Sequence, residues 1–246
     1  MILEVCAYDI EWAVKAQKAG ADRIELCSGF AEGGLTPGYG TIQKSRKLLD
    51  IDLFIMIRPR DGDFLYSAKE FEIMADDIAI AKELGADGVV FGMLKKDGSI
   101  DIRRMSSLVR LAKPMEVTFH RAFDMADKPF KALIDIIETG CDRILTSGQR
   151  AKAFDGIELL RELNDRAGDE ISIMAGSGVN SSNIDDIVTK TGLREVHMSG
   201  HTLIPSGMIY RKKGLTMGSA SSDEFGIHSI NSEEIAKVKQ ILENLS

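Results

Sequence analysis

No stretch of this 246-residue chain approaches the roughly 18 consecutive apolar residues of a membrane span. The opening, MILEVCAYDIEW, has no cationic leader segment and brings in an acid at Glu4, so neither export nor membrane insertion is expected and a cytoplasmic location is. Cysteine is scarce. Cys6, Cys27 and Cys141 are an odd number at spacings that match no zinc finger, which favours reduced thiols over a disulfide framework. Positive charge is in deficit, with 31 Lys and Arg against 38 Asp and Glu, and the densest basic stretch is only Arg211-Lys212-Lys213. A net charge of −7 without a segregated basic face repels phosphate backbones and argues against a nucleic-acid partner. Proline, at 5 residues, marks no linker, and there is no low-complexity tract, so one domain over residues 1–246 is expected.

What the chain does have is an internal repeat. KAGADRIELCSG (18–29), ELGADGVVFG (83–92), ETGCDRILTSG (138–148) and KTGLREVHMSG (190–200) each read as a helix end, a glycine turn and a strand, with anchors at Gly20, Gly85, Gly140 and Gly192. The spacing between anchors suits two βα units. The intervening strands fall about midway, in ILEVCA (2–7), DLFIMIRPR (52–60), MEVTFHRAF (115–123) and EISIMAGSGV (170–179), with helical periodicity in the gaps. Eight strands alternating with helices predict an α/β fold, a (β/α)8 TIM-type barrel, with a doubly wound open sheet as the alternative. Residues 201–230, rich in Gly, Ser and Met, read as a long loop over the barrel mouth. A final helix at 232–245 follows, with Ser232 as its cap and Glu234 in its first turn.

Strand parity sorts the side chains. The helix-covered outer face must be apolar, so Leu3, Val5, Ile24 and Leu26 point outward. Glu4, Cys6, Arg23, Glu25 and Cys27 then point inward, together with Phe54, Met56, Arg58 and Arg60 of the third strand and Glu116, Thr118 and His120 of the fifth. Aligning the repeats puts Glu25, Val90, Leu145 and His197 in one layer, and Cys27, Gly92, Ser147 and Ser199 in the next. A barrel interior is ordinarily aliphatic, and buried ions cost several kcal/mol each unless paired. Such a polar interior is either a structural ion-pair network or a site at the carboxyl ends of the strands.

The motifs at that end suggest two chemistries. Arg58 and Arg60 in MIRPRDGDF suit the gripping of a carboxylate or phosphate. His120 in TFHRAFD, with Asp124 four residues on, suits a general acid or base titrating near neutrality, or a metal ligand. Gly176, Ser177 and Gly178 after the seventh strand, with Ser199 and Gly200 after the eighth, occupy the usual barrel phosphate cradle. EGGLTPGYG (32–40) is long enough to fold over the mouth. Separately, Cys6 and Cys27 lie at matched inward positions on adjacent strands about 4.8 Å apart, a placement that suits a soft ion such as Cu(I), with the Met56 thioether nearby. Cys141, at the opposite end of the barrel, has no expected role.

Taken together, EVCA, GADRIELCSG, GGLTPGYG, MIRPRDGDF, GADGVVFG, TFHRAFD, RILTSG, IMAGSGVNSSN and SGMIYRKKG resemble the CutC family, the so-called copper homeostasis proteins, in family order from residue 2 to about 218. The departures are Ser177, where the family commonly has a further Gly, and Gly38, where Ser is common. The resemblance implies a cytoplasmic TIM-type barrel that self-associates, as a homodimer, and binds Cu(I) at Cys6 and Cys27. The alternative expectation is an enzyme acting on a small anionic or phosphorylated metabolite. In it Arg58 and Arg60 orient the anion, the 175–180 loop cradles phosphate, and His120 with Glu4 or Glu25 moves protons.

Overall fold

Gly20, Gly85, Gly140 and Gly192 all have φ between 70° and 98°, the left-handed conformation that lets a helix stop and the chain turn back. The residue pair after three of these turns ends in Asp22, Asp87 and Asp142, whose carboxylates accept from the backbone N–H groups of Leu3, Leu53 and Val117. Each of these three turns thus also ties down the start of the strand before it. The computed structural model describes residues 1–212, 214–215 and 224–245.

The strands β1 (Ile2–Ala7), β2 (Arg23–Leu26), β3 (Asp52–Met56), β4 (Gly88–Phe91), β5 (Glu116–Phe119), β6 (Arg143–Thr146), β7 (Ser172–Ala175) and β8 (Glu195–Met198) form a closed parallel barrel in sequence order. β1 pairs with β8, which excludes the open-sheet alternative. The helices are α1 (Ile10–Lys18), α2 (Tyr39–Leu48), α3 (Ala68–Glu83), α4 (Ile102–Ala112), α5 (Pro129–Thr139), α6 (Ile157–Ala167), α7 (Ile184–Thr191) and α8 (Ser232–Leu245). Among the described residues, no helix is long and apolar enough to cross a membrane.

Two separate apolar clusters reproduce the parity argument. Leu3, Val5, Ile24, Leu26, Leu53 and Ile55 pack outward with the helix residues Trp12, Ile42, Met74 and Ile78. Cys6, Cys27, Phe54, Met56 and Val90 form their own cluster inside the barrel.

The amino end of the barrel is floored by ions around a ring. Phe54 lies under the guanidinium groups of Arg23 and Arg143, 4.6 and 5.4 Å from its centroid. Arg23 reaches Glu4 at 3.3 Å and Glu195 at 2.9 Å, and Arg143 pairs with Glu195 as well. A Cβ built on Gly88 would stand 2.5 Å from the Phe54 ring, so only glycine leaves the ring its place. Glu116 departs from expectation: its side chain is 52% exposed, reaching in from the open rim to Arg143 at 3.1 Å. It begins β5, where the barrel ends and solvent takes over.

The two ends of the segment 201–230 are strands and not loop. Its two arms, β9 (His201–Pro205) and β10 (Gly226–Ile230), pair as an antiparallel ribbon. The ribbon packs on α1 and the loop after β2: His201 and His228 lie against the Phe30 ring, and the Trp12 indole N–H donates to the His228 carbonyl. Lys213 and residues 216–223 of the expected loop lie outside the described residues. The final helix spans Ser232–Leu245, but its cap is Asn231, whose Oδ1 accepts from the Glu234 N–H at 3.1 Å.

Candidate functional site

A cavity of about 460 Å³ opens at the carboxyl ends of the strands. Its deep end is built by three neighbouring strands. The β1–β2 register places Cys6 beside Glu25, and the β1–β8 register places Glu4 beside His197. Cys27, one residue past β2, is held in line by its N–H to the Ala7 carbonyl. The two Sγ atoms are 3.7 Å apart, and Cys27 Sγ is 3.6 Å from Glu25 Oε2. His197 Nδ1 is 2.7 Å from Glu4 Oε1, and its Nε2 is 4.0 Å from Glu25 Oε2. Cys6, Glu25 and Cys27 offer ligand atoms within 4.8 Å of one another, as do Glu4, Glu25 and His197. The Gly-rich loop after β2 covers this cluster, so closely that a Cβ on Gly34 would lie 3.3 Å from Cys27 Sγ.

The electrostatics follow from crowding these groups away from water. The Cys27 hydrogen bond brings the Cys6 thiol down to about 5 against the opposing effect of burial, and His197 and Tyr8 assist. Burial and then the neighbouring Cys6 push the Cys27 thiol well up. Burial, together with Cys6, likewise raises Glu25 well above the usual carboxylate range. For His197 burial disfavours the charge, but Glu25, Cys6 and Glu4 outweigh it and raise its pKa well above the ordinary value. Glu4 is opposite in sign: burial works against its carboxylate, and His197, Arg23 and Arg143 overcome it and lower the pKa. These directions favour a thiolate at Cys6 and an imidazolium at His197, with protons held on Glu25 and Cys27.

The other expected residues divide. Glu4 is fully buried beneath the cavity, where it holds His197 Nδ1. Arg58 and His120 do line the cavity. His120 is not poised near neutrality: burial and the Arg58 charge bring it down to about 3, and its Nδ1 accepts the Ala122 N–H at 3.3 Å. Arg60 turns away. The β3 ladder closes with the Ile57 N–H on the Val90 carbonyl, after which alternation no longer applies. Arg60 then bonds Glu70 at 2.7 Å and Asp63 at 2.9 Å on the outer side.

The expected anion cradle is only partly available. Ser177 and Gly178 line the cavity, but the next amides along the turn are spent within the chain. The Asn180 N–H donates to Asn183 and the Ser182 N–H to Asn180, while the Ser181 N–H donates to Glu234 of α8 at 2.7 Å. Gly176 serves packing, since a Cβ there would meet Leu145 at 2.5 Å. Ser199 lines the cavity, whereas Gly200 faces Ile230 and Ile235. Ser177 itself sits at φ 80°, a left-handed conformation that a side chain makes costly. Its hydroxyl donates to the Ala151 carbonyl at 2.8 Å.

Sequence reasoning missed Arg143, Glu195 and Tyr8. The first two occupy the same repeat position as Arg23, two residues before the layer containing Glu25 and His197. Tyr8 lies one residue beyond β1, and no spacing marks it.

The architecture and this cluster define a class: a (β/α)8 barrel with a thiol, carboxylate and imidazole centre at the carboxyl end of β1, β2 and β8. A sequence profile described as the CutC family matches residues 1–202. The chain is 44% identical over 242 residues to a family protein CutC of Chromobacterium violaceum, covering 98% of each. It is 47% identical over 243 residues to that of an Enterobacter species, again covering 98% of each. A crystal structure of a putative copper homeostasis protein CutC from Streptococcus agalactiae superposes with a TM-score of 0.77 at 33% identity, covering 80% of this chain and 97% of that one. The protein belongs to the CutC family.

Proposed function

We propose that the protein binds Cu(I) as cargo through Cys6 and Cys27 and takes part in copper handling in the cytoplasm, acting as a homodimer. The observation that carries this reading is the 3.7 Å approach of two buried sulfurs inside the barrel. One is a thiol whose pKa is brought down to about 5, so a thiolate is ready at neutral pH without loss of a proton to solvent. Thiolates select soft ions, and the Met56 thioether in the same cluster has the same preference.

The donor set fits such an ion, with one condition. Sulfurs in a straight two-coordinate arrangement would stand about 4.6 Å apart if each bond is near the ~2.3 Å of a metal–thiolate bond. The observed separation is shorter and suits a bent pair completed by a further donor. Glu25 is within reach of both sulfurs for that purpose once it gives up its proton. The Streptococcus agalactiae relative, described as a putative copper homeostasis protein, supports the choice of metal.

The test is anaerobic titration of the reduced protein with Cu(I) against a competing chelator. Wild type and Cys141→Ser should bind one ion with equal affinity, and the double variant Cys6→Ser, Cys27→Ser should lose it. Full stoichiometry in the double variant overturns the proposal.

A further inference from the structure

A single ion leaves most of a 460 Å³ cavity unexplained, since that volume is within the range of small-molecule sites. The wall away from the thiols carries a second anomaly. Arg58 is 7% exposed, yet among the described residues no carboxylate lies within ion-pair distance of it. Its Nη1 donates to the Glu32 and Gly34 carbonyls and its Nη2 to the Gly62 carbonyl. Of five guanidinium donors, that leaves Nε–H and one N–H on Nη2, with the buried Tyr66 hydroxyl as their nearest polar neighbour and no charge to meet them. Buried charges are ordinarily paired. Here the backbone satisfies the geometry of the group without neutralising it.

His120 stands on the same wall, 4% exposed, its ring 4.9 Å from Phe64, which also packs under Arg58. Because Nδ1 accepts from Ala122, the remaining proton is on Nε2, and this buried donor also lacks a partner. Both residues line the cavity, but their unpartnered atoms lie beneath its wall with almost no accessible surface, so an oxyanion reaches them once the two side chains turn toward it, and it would meet the unpaired Arg58 charge.

We infer that Arg58 and His120 form the anion-binding end of a site for a small organic molecule bearing a phosphate or carboxylate group, whose body lies along Met56, Phe64, Leu145 and Val179. The anion-binding end is distinct from the copper reading, because neither Arg58 nor His120 is among the donors of the β1, β2 and β8 cluster. It differs from the usual barrel phosphate site, where backbone amides after the seventh and eighth strands do the holding. In this chain the amides of Asn180, Ser181 and Ser182 in that turn are already engaged by Asn183, Glu234 and Asn180, which leaves fewer of them for an anion.

The experiment is calorimetric titration of the reduced, metal-free full-length protein with inorganic phosphate, glycerol phosphate, ribose phosphate and malate. At least one organic anion should bind more tightly than about 10 mM, and more tightly than inorganic phosphate. A phosphate ester or malate as the better ligand identifies the head group. His120→Asn keeps a side-chain oxygen to cap the Ala122 N–H while removing the Nε2 donor, and should weaken that ligand about tenfold or more, the scale of a hydrogen bond to a charged group. Arg58→Lys, which keeps charge but not the fork, is the second variant should the first not fold, and should weaken the ligand similarly. Cys6→Ser, Cys27→Ser should bind it as wild type does, which separates this site from the copper proposal. Binding by none of the organic anions, inorganic phosphate as good as the best of them, or an affinity unchanged within threefold in the folded variant overturns the inference.

Discussion

Replacing Glu4 by Gln tests the ion-pair floor at its most enclosed point. Glu4 has no exposure, and its two oxygens hold His197 at 2.7 Å and Arg23 at 3.3 Å. Removing one member of a buried ion pair costs about 3–5 kcal/mol because the other charge stays buried. Arg23 retains Glu195, so the low end, about 3 kcal/mol, is expected. For a chain of this size that corresponds to a fall in Tm of roughly 6–12 °C. The loss should also depend on pH in a defined sense. Glu4 has a lowered pKa, so its contribution is present above its unfolded value, near 4.5, and lost as pH falls through the lower folded value. His197 has a raised pKa, so its contribution is complete below its unfolded value, near 6.5, and lost as pH rises through the folded one. The stability difference between wild type and Glu4→Gln should therefore peak between acid and alkaline limits and shrink at both ends. Urea unfolding followed by circular dichroism across that range measures it, and NMR titration of the His197 ring should show its pKa falling. A difference below about 1 kcal/mol at neutral pH, or one flat with pH, would refute the reasoning.

Gly88→Ala should destabilise by about 1–3 kcal/mol through overpacking against Phe54, and Phe54→Leu in the same chain should recover part of that loss; simple additivity in a double-mutant cycle would contradict it. At position 177, Ala keeps the left-handed strain and loses the hydroxyl bond to Ala151, so it should be less stable than Gly by about 1 kcal/mol or more in thermal melts. Iodoacetamide at neutral pH should label Cys6 ahead of the other two thiols, with a rate that falls only as pH drops through about 5, since Cys27 is held protonated and Cys141 is pushed up to about 12. Peptide mass spectrometry reads the order, and equal labelling of all three would count against the assignment.

Much of the barrel was legible because one device recurs. A helix, a glycine able to turn left, and an apolar run mark four strands, the other four fall midway between them, and β1 has the bounds expected of it. Parity then placed Cys6, Glu25, Cys27 and His120 inside. It failed where its premise ended. Arg60 lies past the last β3 ladder bond, and Glu116 stands at the rim, so neither is held by the pleat. Arg143 and Glu195 were within reach of the same alignment, carried one layer lower. The ribbon at 201–230 was hidden because its arms are five residues each and 20 residues apart, with no periodicity between them to show pairing. The spent amides of the β7 turn depend on Glu234, a contact 53 residues away that no local pattern encodes.

The barrel closes by laying its first strand against its last. The sulfurs come from the beginning of the chain and the imidazole from a point near residue 200, so a nascent polypeptide still lacking β8 has the cysteines but not the cation that sits beside them. Alkylation of Cys6 during refolding would therefore quicken in two stages, the larger when β1 and β2 bring Cys27 alongside it and the smaller when β8 adds His197 and closes the ring.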